Sequence, residues 1–141
     1  MYLRITLTCI LATLFSTGVS AKGVPIKPGL WEFTTTVSMP MLPQPQVNTT
    51  SECVEEDELS PEKFNQDQNN PCEITNTTTN GNTVSWSMRC PTGAGTTMDG
   101  NWKFTSLGNS ISGNGAMTME MGGQPMKVKM EWQGKRVGSC P

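Results

Sequence analysis

The sequence predicts an all-β domain: an antiparallel meander of about seven strands that forms a small barrel or a strongly curved sheet, with one short helix and two disulfides. Two observations support this prediction. Apolar residues recur at every second position through much of the chain, which is the period of a strand with one buried face. Clusters of glycine, asparagine and proline separate these runs at short intervals, as turns do.

The first 21 residues predict a secretory signal peptide. Arg4 supplies a positive charge, residues 5–15 form a short apolar run, and Val19-Ser20-Ala21 is a small-x-small cleavage site. The apolar run is shorter than the ~20 residues that a membrane-spanning helix needs. We therefore expect a periplasmic or secreted protein, with residues 22–141 forming a single all-β domain that has no membrane anchor.

The charge of the chain disfavours nucleic acids and anionic membrane surfaces as partners. Ten basic and twelve acidic residues give a formal net charge of −2. A nucleic-acid-binding domain is expected to carry a basic patch, and binding to an anionic membrane surface needs a polybasic segment. We therefore expect no nucleic-acid partner.

Four cysteines remain after the signal peptide, at positions 53, 72, 90 and 140. An even number in an exported protein predicts two disulfides. A turn at Asn80-Gly81-Asn82 predicts a hairpin that places Cys72 opposite Cys90, within disulfide distance. This pairing leaves Cys53 to bond with Cys140. A thiolate metal site is disfavoured because the chain has no C-x-x-C spacing.

The first half of the domain is predicted to contain two strands and the helix. Trp31 begins a run in which alternate residues up to Met39 share a face, and three prolines in residues 39–45 then end the strand. Residues 46–53, which are rich in threonine, predict the second strand. Ser60 followed by Pro61 is a favourable helix start, so we expect the short helix to begin there.

Two hairpins are predicted between residues 72 and 115. A three-residue loop at Asn80-Gly81-Asn82 opposes Thr79 to Thr83 and Ile74 to Met88. Gly108-Asn109 fits a two-residue type II′ turn, which favours glycine at its first position. That turn places Trp102 opposite Gly115 and Phe104 opposite Gly113, so aromatic rings are expected to cover glycines on the neighbouring strand.

The last third of the domain has the clearest alternation. Met117, Met119 and Met121 alternate with polar residues, and Met126, Val128, Met130 and Trp132 do the same after Gly122-Gly123. A loop of two or four residues gives the same parity, so the hairpin places these apolar side chains on one face and the charged side chains on the other. We expect the apolar face to line the interior.

The sequence offers no catalytic constellation. It has no histidine, which excludes Ser-His-Asp and Cys-His nucleophiles and histidine-ligated zinc. It has no G-x-S-x-G elbow, P-loop or Rossmann fingerprint. The carboxylates of the strands occupy outward positions instead of converging in a cleft; they are Glu32, Glu73, Asp99, Glu120 and Glu131. We predict a protein that is not an enzyme and uses no cofactor.

The apolar face allows three interpretations. A binding site for a small hydrophobic ligand would use flexible thioethers and aromatic rings, namely Met117, Met119, Met121, Met126, Met130, Trp102 and Trp132. A soft-metal site for copper or silver would use the thioethers of Met117, Met119 and Met130. In the third interpretation the face is ordinary core, and the domain binds another exported protein. We predict the first, a non-enzymatic binding module, and keep the others as alternatives.

Several short segments together resemble the exported bacterial domain-of-unknown-function family 3617. They are residues 28–32 (PGLWE), Cys53 with the acidic run after it, Cys72, residues 86–90 (WSMRC), the alternating residues 117–121, and residues 134–140 (GKRVGSC). The resemblance covers nearly all of the chain after the signal peptide. It implies a periplasmic or secreted bacterial protein and implies no catalytic residues.

Overall fold

The computed structural model describes residues 23–64, 72–92 and 95–141, so the predicted signal peptide lies outside the described residues. The described part contains nine strands and one helix. Their bounds are β1 Val24–Pro25, β2 Gly29–Ser38, β3 Gln46–Val54, β4 Glu58–Leu59, α1 Pro61–Phe64, β5 Glu73–Asn80, β6 Thr83–Pro91, β7 Thr97–Ser106, β8 Ser110–Met121 and β9 Gln124–Gly138. The helix begins at Pro61, as predicted.

Seven strands form one antiparallel sheet in the order β3-β2-β9-β8-β7-β6-β5. Strands β5 to β9 follow one another as a meander, and β2 pairs with β9, which brings the beginning and end of the domain together. The prediction of an all-β antiparallel fold with a short helix is confirmed. A second, two-stranded sheet pairs β1 with β4, and neither strand was predicted from the sequence.

Of the two predicted forms of the sheet, a small barrel or a strongly curved sheet, the barrel is wrong. Strands β3 and β5 lie at opposite edges of the large sheet and do not pair with each other. The chain between them forms β4 and α1, and α1 packs against β5. Residues of this segment, from Glu56 to Lys63, line a cleft together with side chains from one face of the sheet, so this described part of the segment lies over that face.

The hairpin of β5 and β6 differs from the prediction near its turn. Its loop has two residues, Gly81 and Asn82, so Thr79 lies opposite Val84 and not opposite Thr83. A bulge then places two residues of β5, Asn76 and Thr77, opposite one residue of β6, which restores the predicted pairing of Ile74 with Met88. Asn76 has a φ of 52°, a left-handed conformation that asparagine tolerates.

The β7–β8 hairpin has the predicted register, and the β8–β9 hairpin has the shorter of the two loop lengths that the sequence allowed. Gly108 has a φ of 82° at the first turn position, and Trp102 and Phe104 lie opposite Gly115 and Gly113. Gly122 and Gly123, with φ values of 61° and 78°, form a two-residue loop between β8 and β9. Met117 therefore lies opposite Val128, and Met119 opposite Met126, so the predicted shared face of these residues is confirmed.

Both predicted disulfides are present, Cys53–Cys140 with a Cα–Cα distance of 5.4 Å and Cys72–Cys90 with 4.2 Å. Two disulfides are consistent with an oxidising, exported location. No helix of the described chain is long and apolar enough to cross a membrane.

The core lies at one end of the apolar face of the large sheet. An N-terminal strap, residues 23–28, covers it with the buried side chains of Val24 and Ile26. The strap is held by backbone hydrogen bonds from Ile26 to Asp57 and from Lys27 to Gly108, and the indole of Trp31 donates to the Lys27 carbonyl over 2.9 Å. Trp31 is thereby completely buried.

Ser106 joins the strap to the turn between β7 and β8. Its buried hydroxyl donates to the Pro25 carbonyl and accepts from the Gly108 amide over 3.2 Å. A Ser106→Ala variant leaves both backbone groups without this partner, so we expect a loss of about 1–3 kcal/mol in the free energy of unfolding. Urea denaturation measures this loss. Ser112→Ala, an exposed serine of β8, is the control and should change stability by less than ~0.5 kcal/mol; equal stability of the two variants would contradict the role of Ser106.

Candidate ligand site

Three aromatic side chains meet on the apolar face because β8 carries glycines beneath them. Strands β7 and β9 are separated by β8, and strands two positions apart lie about 10 Å from each other. The Trp132 ring of β9 nevertheless lies with its centroid 5.1 Å from that of Trp102 and 5.2 Å from that of Phe104, both on β7. Gly113 and Gly115 of β8 have no side chains to separate these rings.

A cleft of about 400 Å³ lies between this aromatic cluster and the segment of β4 and α1 that lies over the sheet. We call Phe33, Phe104 and Trp132 the aromatic floor; they lie on β2, β7 and β9. The remaining lining residues come from the strap, β2, β3, β8 and the segment of β4 and α1; they are Ile26, Thr35, Thr50, Glu52, Val54, Glu56, Glu58, Leu59, Lys63 and Ile111. The cleft therefore has an apolar floor and a polar rim.

The rim of the cleft is acidic. Glu52, Glu56 and Glu58 contribute carboxylates, and Lys63 contributes an ammonium group. Glu58 is half-buried, and one of its carboxylate oxygens accepts a hydrogen bond from the Gly23 amide over 3.0 Å. This bond anchors the beginning of the strap to the rim. With all four side chains charged, the rim has a net negative charge.

The structure separates the predicted ligand residues into two groups. Trp132 lines the cleft, and Trp102 contacts Trp132. The methionines lie on the same face but outside the cleft. Val128 is surrounded by four methionines in the register of β8 and β9. We call these four the methionine patch; they are Met117, Met119, Met126 and Met130. Val128 is 4% exposed and the four methionines are half-buried, so their side chains cover Val128 instead of being covered themselves.

The prediction that all the methionines line the interior is therefore wrong in part, because they are not fully covered. Met121, at the end of β8, is 50% exposed, and the patch remains partly open to solvent. Strand β1, which lies outside the large sheet, contacts β7 near Ser106, at the end of the sheet away from the methionines. The alternative of a copper or silver site on Met117, Met119 and Met130 stays a prediction, since these residues share a face as that site requires.

The predicted outward positions of the strand carboxylates are confirmed. Glu32, Glu73, Asp99, Glu120 and Glu131 are all exposed. Asp99 accepts a hydrogen bond from Arg89 over 2.7 Å, which raises the pKa of the Arg89 guanidinium above its usual value. The described residues contain no group of three or more histidine, cysteine or acidic side chains that could hold a metal ion.

A larger cleft of about 570 Å³ lies on the opposite face of the sheet. Most of its lining residues are polar in type, including Glu32, Thr34, Gln133 and Lys135, and although Leu107 and Ile111 also line it, no described aromatic side chain does. Ligand sites are usually lined by apolar and aromatic side chains with a few polar groups. The smaller cleft fits this description better, and it contains a residue predicted for ligand binding.

A protein-family model matches almost the whole of the described domain. The model of the family described as "Protein of unknown function (DUF3617)" matches residues 26–140. The chain belongs to the DUF3617 family. No curated protein and no solved structure matches the chain significantly. The resemblance inferred from short sequence segments is thus confirmed, and the DUF3617 match includes the aromatic floor, the methionine patch and all four disulfide cysteines.

Most of the residues that line the cleft of this DUF3617 protein were not predicted from the sequence. Phe33 and Phe104 were placed on the correct face, but only Trp132 and Trp102 were assigned to ligand binding. Glu58 and Leu59 form a two-residue strand, which is too short for a periodic signal. The alternation of Val24 and Ile26 around Pro25 was the one available signal for the strap.

Proposed function

We propose that this DUF3617 protein is an exported, non-enzymatic binding module that holds a small hydrophobic ligand in the cleft above the aromatic floor. The observation that supports this proposal is the lining of the cleft by Phe33, Phe104 and Trp132. Its volume of about 400 Å³ falls within the range of small-molecule sites, roughly 300–1,000 Å³. Covering apolar surface in such a site contributes about 25 cal/mol per Å² removed from water.

The rim favours neutral or cationic ligands. Three carboxylates, on Glu52, Glu56 and Glu58, face one ammonium group, on Lys63. Unit charges about 4 Å apart near a protein surface interact by roughly 4 kcal/mol, so even partial screening leaves a preference against an anionic group at the rim. The ligand class proposed is an apolar molecule whose polar end carries no negative charge.

The apolar surface continues beyond the cleft. Trp102 adjoins Trp132 on the side of Gly115, and Gly115 lies opposite Met130 of the methionine patch. An elongated ligand would therefore extend from the aromatic floor across Trp102 onto flexible thioether side chains, which adapt to irregular apolar shapes. This continuity gives the predicted methionine residues a role in ligand binding even though they lie outside the cleft.

A pair of related fluorescent probes tests the cleft. N-phenylnaphthylamine is neutral, and anilinonaphthalene sulfonate has similar rings with a negative charge. We expect the neutral probe to bind to the protein, produced by export with its disulfides formed, and to quench tryptophan emission. A Thr35→Trp variant fills the cleft from β2 and should weaken this binding at least about tenfold, a loss of ~1.4 kcal/mol.

Thr36→Trp is the matched control, because Thr36 neighbours Thr35 on β2, faces the opposite side of the sheet and is likewise half-buried. The control should bind the neutral probe as the natural protein does. Equal binding by both variants would contradict the proposed site. Stronger binding of the anionic probe would contradict the selectivity assigned to the rim.

Native mass spectrometry tests the alternative of a metal site. Stoichiometric Cu(I) that stays bound in the presence of a competing chelator, and is lost on Met117→Leu, would favour the thioether site over the cleft.

A further inference from the structure

Strand β3 is an edge strand of the described sheet, and its outer edge pairs with no described strand. Its inner edge pairs with β2 without interruption from Gly29 opposite Val54 to Val37 opposite Gln46, so the nine residues of β3 form one regular extended segment. An open edge presents a row of backbone donors and acceptors, which natural sheets usually block with proline, lysine or a bulge. Strand β3 contains none of these three devices.

The opposite edge of the sheet is different. Strand β5 is interrupted by the bulge at Asn76 and Thr77, where Asn76 takes a left-handed conformation. Such a bulge twists the strand and breaks the regular row of hydrogen-bonding groups. Helix α1 also packs against β5. Of the two edges of the described sheet, β3 is therefore the one that offers a regular pairing surface.

We propose that β3 pairs antiparallel with β3 of a second copy of this chain, about a two-fold axis through Thr50. Thr50 is the midpoint of Gln46–Val54, so all nine residues find a partner in this register. Thr50 then faces its own copy, Thr49 faces Ser51 of the second copy, and Asn48 faces Glu52 of the second copy. Threonine–threonine, threonine–serine and amide–carboxylate pairs all form cross-strand hydrogen bonds.

The composition of β3 favours a second copy as the occupant. Glu52 is its one charged residue, and the proposed register places it opposite Asn48 and not opposite another carboxylate. Val47, which is 65% exposed, faces the disulfide-bonded Cys53 of the second copy, so apolar groups meet across the seam. In this register the two copies of β3 have equal length, no carboxylate faces another carboxylate, and in all but the terminal pairs polar and apolar side chains face their own kind.

The pairing has a consequence for the apolar face. A two-fold axis perpendicular to the sheet keeps the same face of both copies on the same side, in a continuous sheet of fourteen strands, seven from each copy. Thr50 and Glu52 line the cleft, so the clefts of the two copies would flank the seam. The dimer itself does not depend on ligand binding and is tested separately.

Sedimentation velocity of charge variants tests the proposal. A short polar edge gives a small interface, so we expect the natural protein to be monomeric when dilute and largely dimeric near ~0.5 mM chain. Thr50→Lys and Thr50→Glu each place like charges directly opposite each other, so each variant alone should remain monomeric. An equimolar mixture of the two should dimerise, because the opposed charges then attract. Thr78→Lys, on the β5 edge, is the control and should dimerise as the natural protein does.

A gain-of-affinity variant makes the test independent of any loss of folding. Asn48→Lys places an ammonium group opposite Glu52 of the second copy at two positions in the dimer, so the dimerisation constant should rise about two- to tenfold. A natural protein that stays monomeric at the highest concentration overturns the proposal. Dimers of Thr50→Lys alone, or a mixture that does not dimerise, overturn the pairing about Thr50. A dimerisation constant of Asn48→Lys that equals that of the natural protein also overturns the pairing about Thr50.

Discussion

Removal of the Cys53–Cys140 disulfide, in a Cys53→Ala/Cys140→Ala variant, is expected to lower the free energy of unfolding by about 4.5 kcal/mol. The two cysteines are separated by 87 residues, so the bond closes a long loop in the unfolded chain and removes much of its conformational entropy. Small domains are stable by only about 5–15 kcal/mol. Loss of this bond therefore removes roughly 30–90% of the stability, and at the lower end of the stability range it leaves little folded protein at 37 °C.

The Cys72→Ala/Cys90→Ala variant is the matched comparison. Its disulfide closes a loop with a separation of 18 residues, for which the expected loss is smaller, about 3 kcal/mol. Alanine is the suitable replacement because Cys90 is buried, and a serine hydroxyl there would lose its hydrogen bonds to water. Urea denaturation of both variants under identical conditions measures the difference. A larger loss from the Cys72–Cys90 variant would show that the packing of Cys90 outweighs loop closure.

The features of the fold that were predictable are those encoded by neighbouring residues. Gly108 and Gly122-Gly123 have no Cβ and so adopt the positive φ angles that tight turns require. Each turn then determines the register of its hairpin, and the alternation of Met117, Met119 and Val128 determines which face is apolar. The pairing of Cys72 with Cys90 followed from the same local argument, although an unpredicted bulge compensated for a turn that is one residue shorter than expected.

The features that were not predictable depend on contacts between distant segments. Whether a sheet closes into a barrel depends on its two edge strands, and here residues 55–64, the described part of the chain between β3 and β5, lie over the apolar face while the two edge strands do not pair. Strands β1 and β4 have two residues each, so they leave no periodic signal, and their pairing joins Val24 to Leu59. The cleft exists only because these segments cover the aromatic floor. The sequence therefore indicated the apolar face but not the place on it where a ligand site forms.

A Gly115→Val variant should lower the free energy of unfolding by about 3 kcal/mol and the melting temperature by about 10 °C. A Cβ at position 115 would lie 2.5 Å from Cζ3 of Trp102, and closer still to Cε3, whereas ordinary contacts begin near 3.4 Å. It would also lie 3.0 Å from the backbone carbonyl of Asn101, which cannot move without distorting β7. The Trp102 ring would have to leave its place over β8 and give up its contact with Trp132.

Gly138→Val is the matched control for this variant. Gly138 also lies in a strand, but a Cβ there would meet nothing within 4 Å, so the same substitution should leave the melting temperature nearly unchanged. Near-ultraviolet circular dichroism reports the contact of Trp102 with Trp132 directly, and its signal should fall only in Gly115→Val. Trp132 is part of the aromatic floor, so the affinity for N-phenylnaphthylamine should fall with that signal. An unaltered melting temperature would mean that Trp102 does not cover Gly115, and the glycines of β8 would then not explain how the aromatic floor forms.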